Sequence, residues 1–143
     1  MNTNLLNKAT WSDATIRWKE DDLQLAVAQH LRREGYLFAA DQNAGRRSAR
    51  DGARRKALGM AAGEPDLRVY LDGGRIVFIE MKTSRGQLSK NQKQRIKALR
   101  ERNHVAHVVK AETPADAVDQ VIDIIESIDK NSISLFTSPE TGL

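Results

Sequence analysis

The sequence contains no cysteine. That excludes disulfides, thiolate metal sites and a Cys nucleophile. Only three histidines are present, so any metal centre must lean on carboxylates. His104 and His107 lie three apart around a strand start, facing opposite ways, and His30 has no evident partner. No apolar run approaches the roughly 18 residues of a membrane span. The opening MNTNLLNKAT lacks the long apolar core of a signal peptide, so a cytoplasmic location is expected, with no membrane partner. Aromatics make up 5% of the chain. Tyr36, Phe38, Tyr70 and Phe78 fall mostly in strand-like segments and are expected in the core, leaving few rings to stack on unpaired bases. No P-loop and no H-N-H finger is present, and no nucleotide cofactor is expected.

What remains is 143 residues, 29% of them charged, in an uneven distribution. Residues 1–110 hold 22 Lys and Arg against 12 Asp and Glu, a net of +10; residues 111–143 hold one Lys against seven acids, a net of −6. A body that basic points to a polyanionic partner, nucleic acid foremost.

Apolar periodicity predicts a helix over 19–33, carried by Leu23, Ala26, Val27 and Leu31 and stopped by Gly35. Strands are expected over 36–40, 66–71, 76–82 and 105–110. Ser89, with Gln92 three residues on, opens a Lys/Arg-rich helix over 89–102. Thr113 and Pro114 open a last helix whose core face is Val118, Val121, Ile122, Ile125 and Ile128. Residues 1–18, with Trp11 and Trp18, read as an N-terminal arm and a candidate dimer seam, and 129–143 as a flexible tail. Residues 41–63 show no clear period and read as a mobile basic loop, with a helical turn near 53–58, that orders only on DNA. The element order makes one α/β domain over 19–128, a mixed β-sheet flanked by helices.

The strand over 76–82 is apolar until Glu80 and Lys82. Alternation puts these two on one face and Met81 on the other. Ionised groups there need partners or a metal. Whether Asp66 joins them depends on the turn before them. A three-residue turn, Asp72-Gly73-Gly74, pairs Leu71 with Arg75 and hence Asp66 with Glu80; a two-residue Gly73-Gly74 turn sends Asp66 to the opposite face. In the first register two carboxylates share a face, and hard oxygen ligands select Mg²⁺, with Mn²⁺ able to substitute.

Pro65-Asp66, then thirteen residues, then Glu80-Met81-Lys82 resembles the PD-(D/E)XK nuclease signature. Glu20 to Gln24 (EDDLQ), Asn43-Ala44-Gly45, Gly63-Glu64-Pro65-Asp66-Leu67, Glu80-Met81-Lys82-Thr83 and Gly86-Gln87-Leu88-Ser89 with Gln92 are similar to the VRR-NUC branch, whose stand-alone members are common in phages and prophages. The resemblance spans residues 19–122 and implies a restriction-endonuclease-like core of order αβββαβ with a final helix. It implies a homodimeric, metal-dependent endonuclease acting on branched DNA, notably four-way junctions. It further implies that Asp66, Glu80 and the Met81 carbonyl ligate Mg²⁺, with Glu20 as a helical acid reaching it directly or through water. Lys82 would orient and help deprotonate the attacking water, and Gln92 would take a site role. Arg46, Arg47, Arg50, Arg54, Arg55 and Lys56, just before Asp66, are expected to grip phosphates, and Lys90 and Lys93 to begin a second rail. A nicking or fork endonuclease without junction preference, and a DNA-binding module that kept the fold without the chemistry, stay open as alternatives.

Overall fold

A 23-residue helix and a 14-residue helix lie together on one side of a four-stranded sheet, and a 12-residue basic helix lies on the other. The computed structural model describes residues 11–41 and 49–136. In chain order the elements are α1 (Glu20–Arg33), β1 (Leu37–Ala40), α2 (Ala49–Ala57), β2 (Leu67–Leu71), β3 (Arg75–Thr83), α3 (Lys90–Glu101), β4 (Val105–Ala111) and α4 (Pro114–Phe136). The sheet runs β1-β2-β3-β4. β1 and β2, and β2 and β3, pair antiparallel, whereas β4 pairs parallel to β3 through the α3 crossover.

The two sheet faces divide the core. Odd-numbered side chains of β2–β4 (Leu67, Val69, Val77, Ile79, Met81, Val109 and Ala111) meet Leu23, Val27 and Leu31 of α1 and Ala117, Val121 and Ile125 of α4. On the opposite face Phe78 and Ala106 pack on Ile96 of α3, with Leu88 and Leu99 at the margin. β3 is buried almost throughout, which accounts for its unbroken apolar run.

Three helix ends turn off in the same way. After α1, Gly35 takes φ +77° while the Tyr36 amide donates to the Leu31 carbonyl; after α2, Gly59 takes φ +91° with Met60 donating to Arg55. After α3, Asn103 takes φ 63° with His104 donating to Leu99. Each is a left-handed residue closing the last turn with a 6→1 bond.

Four expectations are corrected. Residues 49–57, expected within a mobile loop, form α2: Ala, Arg and Lys are strong helix formers, Asp51 sits in the first turn, and Gly52 alone does not outweigh them. Residues 129–136, expected as the start of a tail, continue α4, whose last described core contact is Ile128. Trp11 and Trp18, offered as a dimer seam, are 9% and 7% exposed; their rings stand 5.5 Å apart against the α1–α4 core, and Trp18 Nε1 donates to the Asp13 carbonyl. Rings this large gain more from burial than from waiting exposed for a partner. Tyr70 also departs from the expected core, lying 36% exposed on β2.

Gly63 ties the β2 lead-in to α3. It adopts φ +80°, and a Cβ there would clash with the Asn91 carbonyl carbon and stand 2.7 Å from the Gln92 amide nitrogen, in the first turn of α3. Neither contact is with a yielding side-chain tip. Gly63→Ala is therefore expected to cost about 2–4 kcal/mol, from backbone strain plus displacement of a packed helix. Urea denaturation measures this, and an unchanged midpoint would show that α3 is not held at this distance.

Candidate active site

The turn at 72–74 decides the register. It holds three residues, with Gly73 at φ 77° and Gly74 at φ 72°, and pairs Leu71 with Arg75 and Leu67 with Ile79. Asp66 immediately precedes β2, so this register sets it at the end of β3 that carries Glu80. Of the two registers open in the sequence, this is the one that brings the carboxylates together, and the Asp66 charge acts on Glu80 accordingly.

Glu80 is the most unusual group. It is 1% exposed. Its Oε1 accepts from Gln92 Nε2 at 2.6 Å and lies 3.6 Å from Lys82 Nζ. Its Oε2 is sealed from solvent and has no hydrogen-bond partner. Burial, reinforced by Asp66 and opposed by Lys82, pushes its pKa up to about 7. Asp66 stands beside it, with Oδ2 accepting from the Met81 amide at 2.7 Å. Burial pushes the Asp66 carboxyl up as well, against the lowering effect of that amide.

Lys82 is 7% exposed, and its Nζ lies 3.2 Å from Glu20 Oε1. Glu20 is the first residue of α1, where the helix dipole favours acids, and its side chain remains 43% exposed. The Lys19 amide donates to Asp22, the third residue of that turn, which orders the helix start. Gly86 lets the chain close beneath the pair: a Cβ there would come within 3.3 Å of both Glu20 Oε1 and Lys82 Cδ.

Gln92 has two duties. Its Oε1 accepts from the Ser89 amide at 2.9 Å while its own amide donates to Ser89 Oγ at 3.2 Å. With the carbonyl end held by the cap, only the NH₂ end can face Glu80. The cap therefore turns a donor toward one carboxylate oxygen and leaves the other bare.

The predicted site residues Asp66, Glu80, Lys82, Glu20 and Gln92 thus lie together, and Met81 connects them through its backbone. Arg50, Arg54 and Lys56 are exposed on α2, Arg55 is half-buried there, and Lys90 and Lys93 are exposed at the start of α3. Arg46 and Arg47, with Asn43 and Gly45, lie outside the described residues. His104 packs edge-on against Phe78 at 5.7 Å, and His107 is half-buried with its pKa lowered by burial. Gly63 stands in the family motif read from the sequence, but its packing against the Gln92 turn has no signal there beyond its place just ahead of Glu64-Pro65-Asp66.

A family model described as the VRR-NUC domain matches residues 14–113 of the 143. The chain belongs to the VRR-NUC family. It therefore carries a nuclease-type domain, for which DNA is the implied substrate. Two solved structures resemble the VRR-NUC fold seen here. One, titled "VRR_NUC domain protein", superposes with a TM-score of 0.61 at 23% identity, covering 78% of this chain and 88% of its own. Another, titled "VRR_NUC domain", gives 0.51 at 24% identity over 75% and 94%. Comparison with curated protein sequences returns no match. Among the described residues no helix is long and apolar enough to cross a membrane.

Among the described residues no three His, Cys, Asp or Glu side chains gather as a ready-made ligand set. The donors near Glu80 nevertheless fit a hard divalent cation. Mg²⁺ binds through one or two carboxylates and keeps several waters, and Glu80 Oε2 is a buried acceptor that nothing in the chain satisfies. Asp66, Glu80 and the Met81 carbonyl would hold such an ion, with Glu20 at the exposed margin.

The raised pKa of Glu80 makes stability depend on pH. Its ordinary value is 4.5 and its folded value about 7, so between these limits the folded chain binds more protons than the unfolded one. Stability without divalent cations should therefore fall as pH rises through that window, by up to about 3 kcal/mol. Denaturation midpoints in EDTA, compared with those of Glu80→Gln, test this. The variant should show a clearly shallower slope, keeping only what the raised Asp66 carboxyl contributes, and a wild-type midpoint that rises across the window would contradict the assignment.

Proposed function

We propose that the protein is a Mg²⁺-dependent, structure-selective DNA endonuclease that hydrolyses phosphodiester bonds, acting as a homodimer on branched DNA such as four-way junctions. The observation that carries the metal-dependent reading is the buried, unpartnered Oε2 of Glu80, on a carboxylate that feels the Asp66 charge and whose other oxygen lies 3.6 Å from Lys82 Nζ. A divalent cation held there supplies charge neutralisation at the phosphate and an acidified water.

The chain's own residues divide the remaining work. Gln92 fixes Glu80 by one oxygen. The Met81 amide fixes Asp66. Lys82, held between Glu20 and Glu80, is placed to orient the attacking water and to offset the charge that grows on the phosphoryl oxygens. The exposed Arg and Lys of α2 and α3 supply phosphate contacts that carry no base information, in keeping with recognition of shape. Two copies related by a two-fold axis would present two such sites to the two strands of a symmetric junction. Manganese is expected to replace magnesium, since the same oxygen donors suit both.

Labelled four-way, flap, linear duplex and single-stranded DNA, incubated with Mg²⁺, Mn²⁺ or EDTA, test the proposal. Cleavage should require the metal and favour the junction; preference for flaps or nicked products would replace the substrate assignment. Asp66→Asn, Glu80→Gln and Lys82→Ala should each reduce cleavage by at least about 100-fold. The two carboxylate variants should bind DNA as well as wild type or better, because each removes a charge that repels phosphate. Near wild-type cleavage by Glu80→Gln would assign the activity elsewhere.

A further inference from the structure

Beside the carboxylates lies a cleft of about 260 Å³, lined by Arg55 of α2, Arg68 of β2, Arg95 of α3, and Asp41 and Glu64 from the loops between them. Three guanidinium groups outnumber two carboxylates. The cleft adjoins the candidate active site along two elements. Arg68 follows Asp66 by two residues and points to the same sheet face, and Arg95 follows Gln92 by three on the same side of α3. The Asp41 amide, moreover, donates to the Asp66 carbonyl at 2.8 Å.

The charges in the cleft are unequally matched. Arg95 is committed, with Nε 2.6 Å from Glu64 Oε2. Arg68 is not: its closest acid is Asp41, at 4.0 Å from its Nη2, while its Nε is sealed from solvent with no hydrogen-bond partner. Burial raises the Asp41 carboxyl despite that guanidinium. A buried N–H without an acceptor costs free energy, and a cationic fork prefers a phosphate, which offers two oxygens in its plane. Arg55 also borders this space, its Nε 3.1 Å from Met60 Sδ.

We propose that this cleft is a phosphate subsite in which Arg68 anchors a backbone phosphate next to the one positioned at Asp66 and Glu80. It rests on the nuclease reading above and adds to it where the strand is held. The bound phosphate takes Asp41's place as the partner of Arg68, so Asp41 acts as a competing anion rather than a support. Arg68 is a positioning residue: it fixes the strand relative to the carboxylates without touching the reacting atoms.

The two members of the pair should respond with opposite sign. Affinity for a short mixed-sequence linear duplex is measured in EDTA over a range of salt for wild type, Arg68→Gln, Asp41→Asn and, as a control for lost charge away from the cleft, Arg33→Gln on α1. Arg68→Gln should weaken binding about ten-fold and flatten the slope of log K against log salt by about 0.9. Asp41→Asn should tighten binding, and Arg33→Gln should leave the slope unchanged. Wild-type affinity and slope in Arg68→Gln, or a loss equalled by Arg33→Gln, overturns the subsite. Should Arg68→Gln melt early, Asp41→Asn decides alone, and unchanged or weaker binding by it overturns the subsite as well. Cleavage of junction DNA with Mg²⁺ is read separately. A protein that binds with these signs but cleaves nothing keeps the subsite and loses the nuclease reading; one that cleaves while Arg68→Gln binds normally loses the subsite alone.

Discussion

Everything at the candidate site depends on one strand register. Because side chains alternate along a strand, a single-residue slip between β2 and β3 would move Asp66 to the face occupied by Met81 and leave Glu80 buried without a second carboxylate. The three-residue connection at 72–74 prevents this, and its two glycines at positive φ let so short a turn close. Arg75 adds a tie from the same corner to the far helix: Nε donates to the Asp72 carbonyl, and Nη1 to the Ile128 carbonyl of α4.

Register alone would leave two carboxylates in mutual repulsion. The surroundings of Glu80 keep it there by engaging one oxygen and neglecting the other, through a glutamine whose orientation is set by its duty as a helix cap. Asp66 is treated similarly, with the Met81 amide on one of its oxygens. A core of apolar residues would be more stable at these positions. Strain accumulated at one point and relieved by a ligand is the usual compromise between stability and activity.

Much of this was legible in the sequence because the informative signals were local. The apolar run ending in Glu80 and Lys82, the Asp-Gly-Gly turn and the Ser89/Gln92 cap each specify their own structure within a few residues. The family resemblance supplied what period could not, namely that Glu20 on a separate helix belongs with the strand carboxylates; the structure brings its Oε1 to Lys82 Nζ. What could not be read depended on burial set by distant partners. The tryptophans looked available because nothing nearby in sequence covers them, whereas α1 and α4 do so in space. α2 was obscured by its charge and glycine content, although its residues favour a helix. The Arg68–Asp41 mismatch has no local signature, since β1 and β2 must pair before those side chains meet.

The segregation of charge along the chain becomes a segregation in space. α3, with Lys90, Lys93, Arg95, Lys97 and Arg100, lies on the sheet face that carries the carboxylate site. α4, with Asp116, Asp119, Asp123, Glu126 and Asp129, packs on the opposite face. The molecule is therefore an electric dipole whose axis runs through the sheet, positive end at the site. In the field of a polyanion such a body experiences a torque before it makes any contact. It approaches already turned, with the acidic helix repelled outward, and a larger share of encounters begins in the productive orientation.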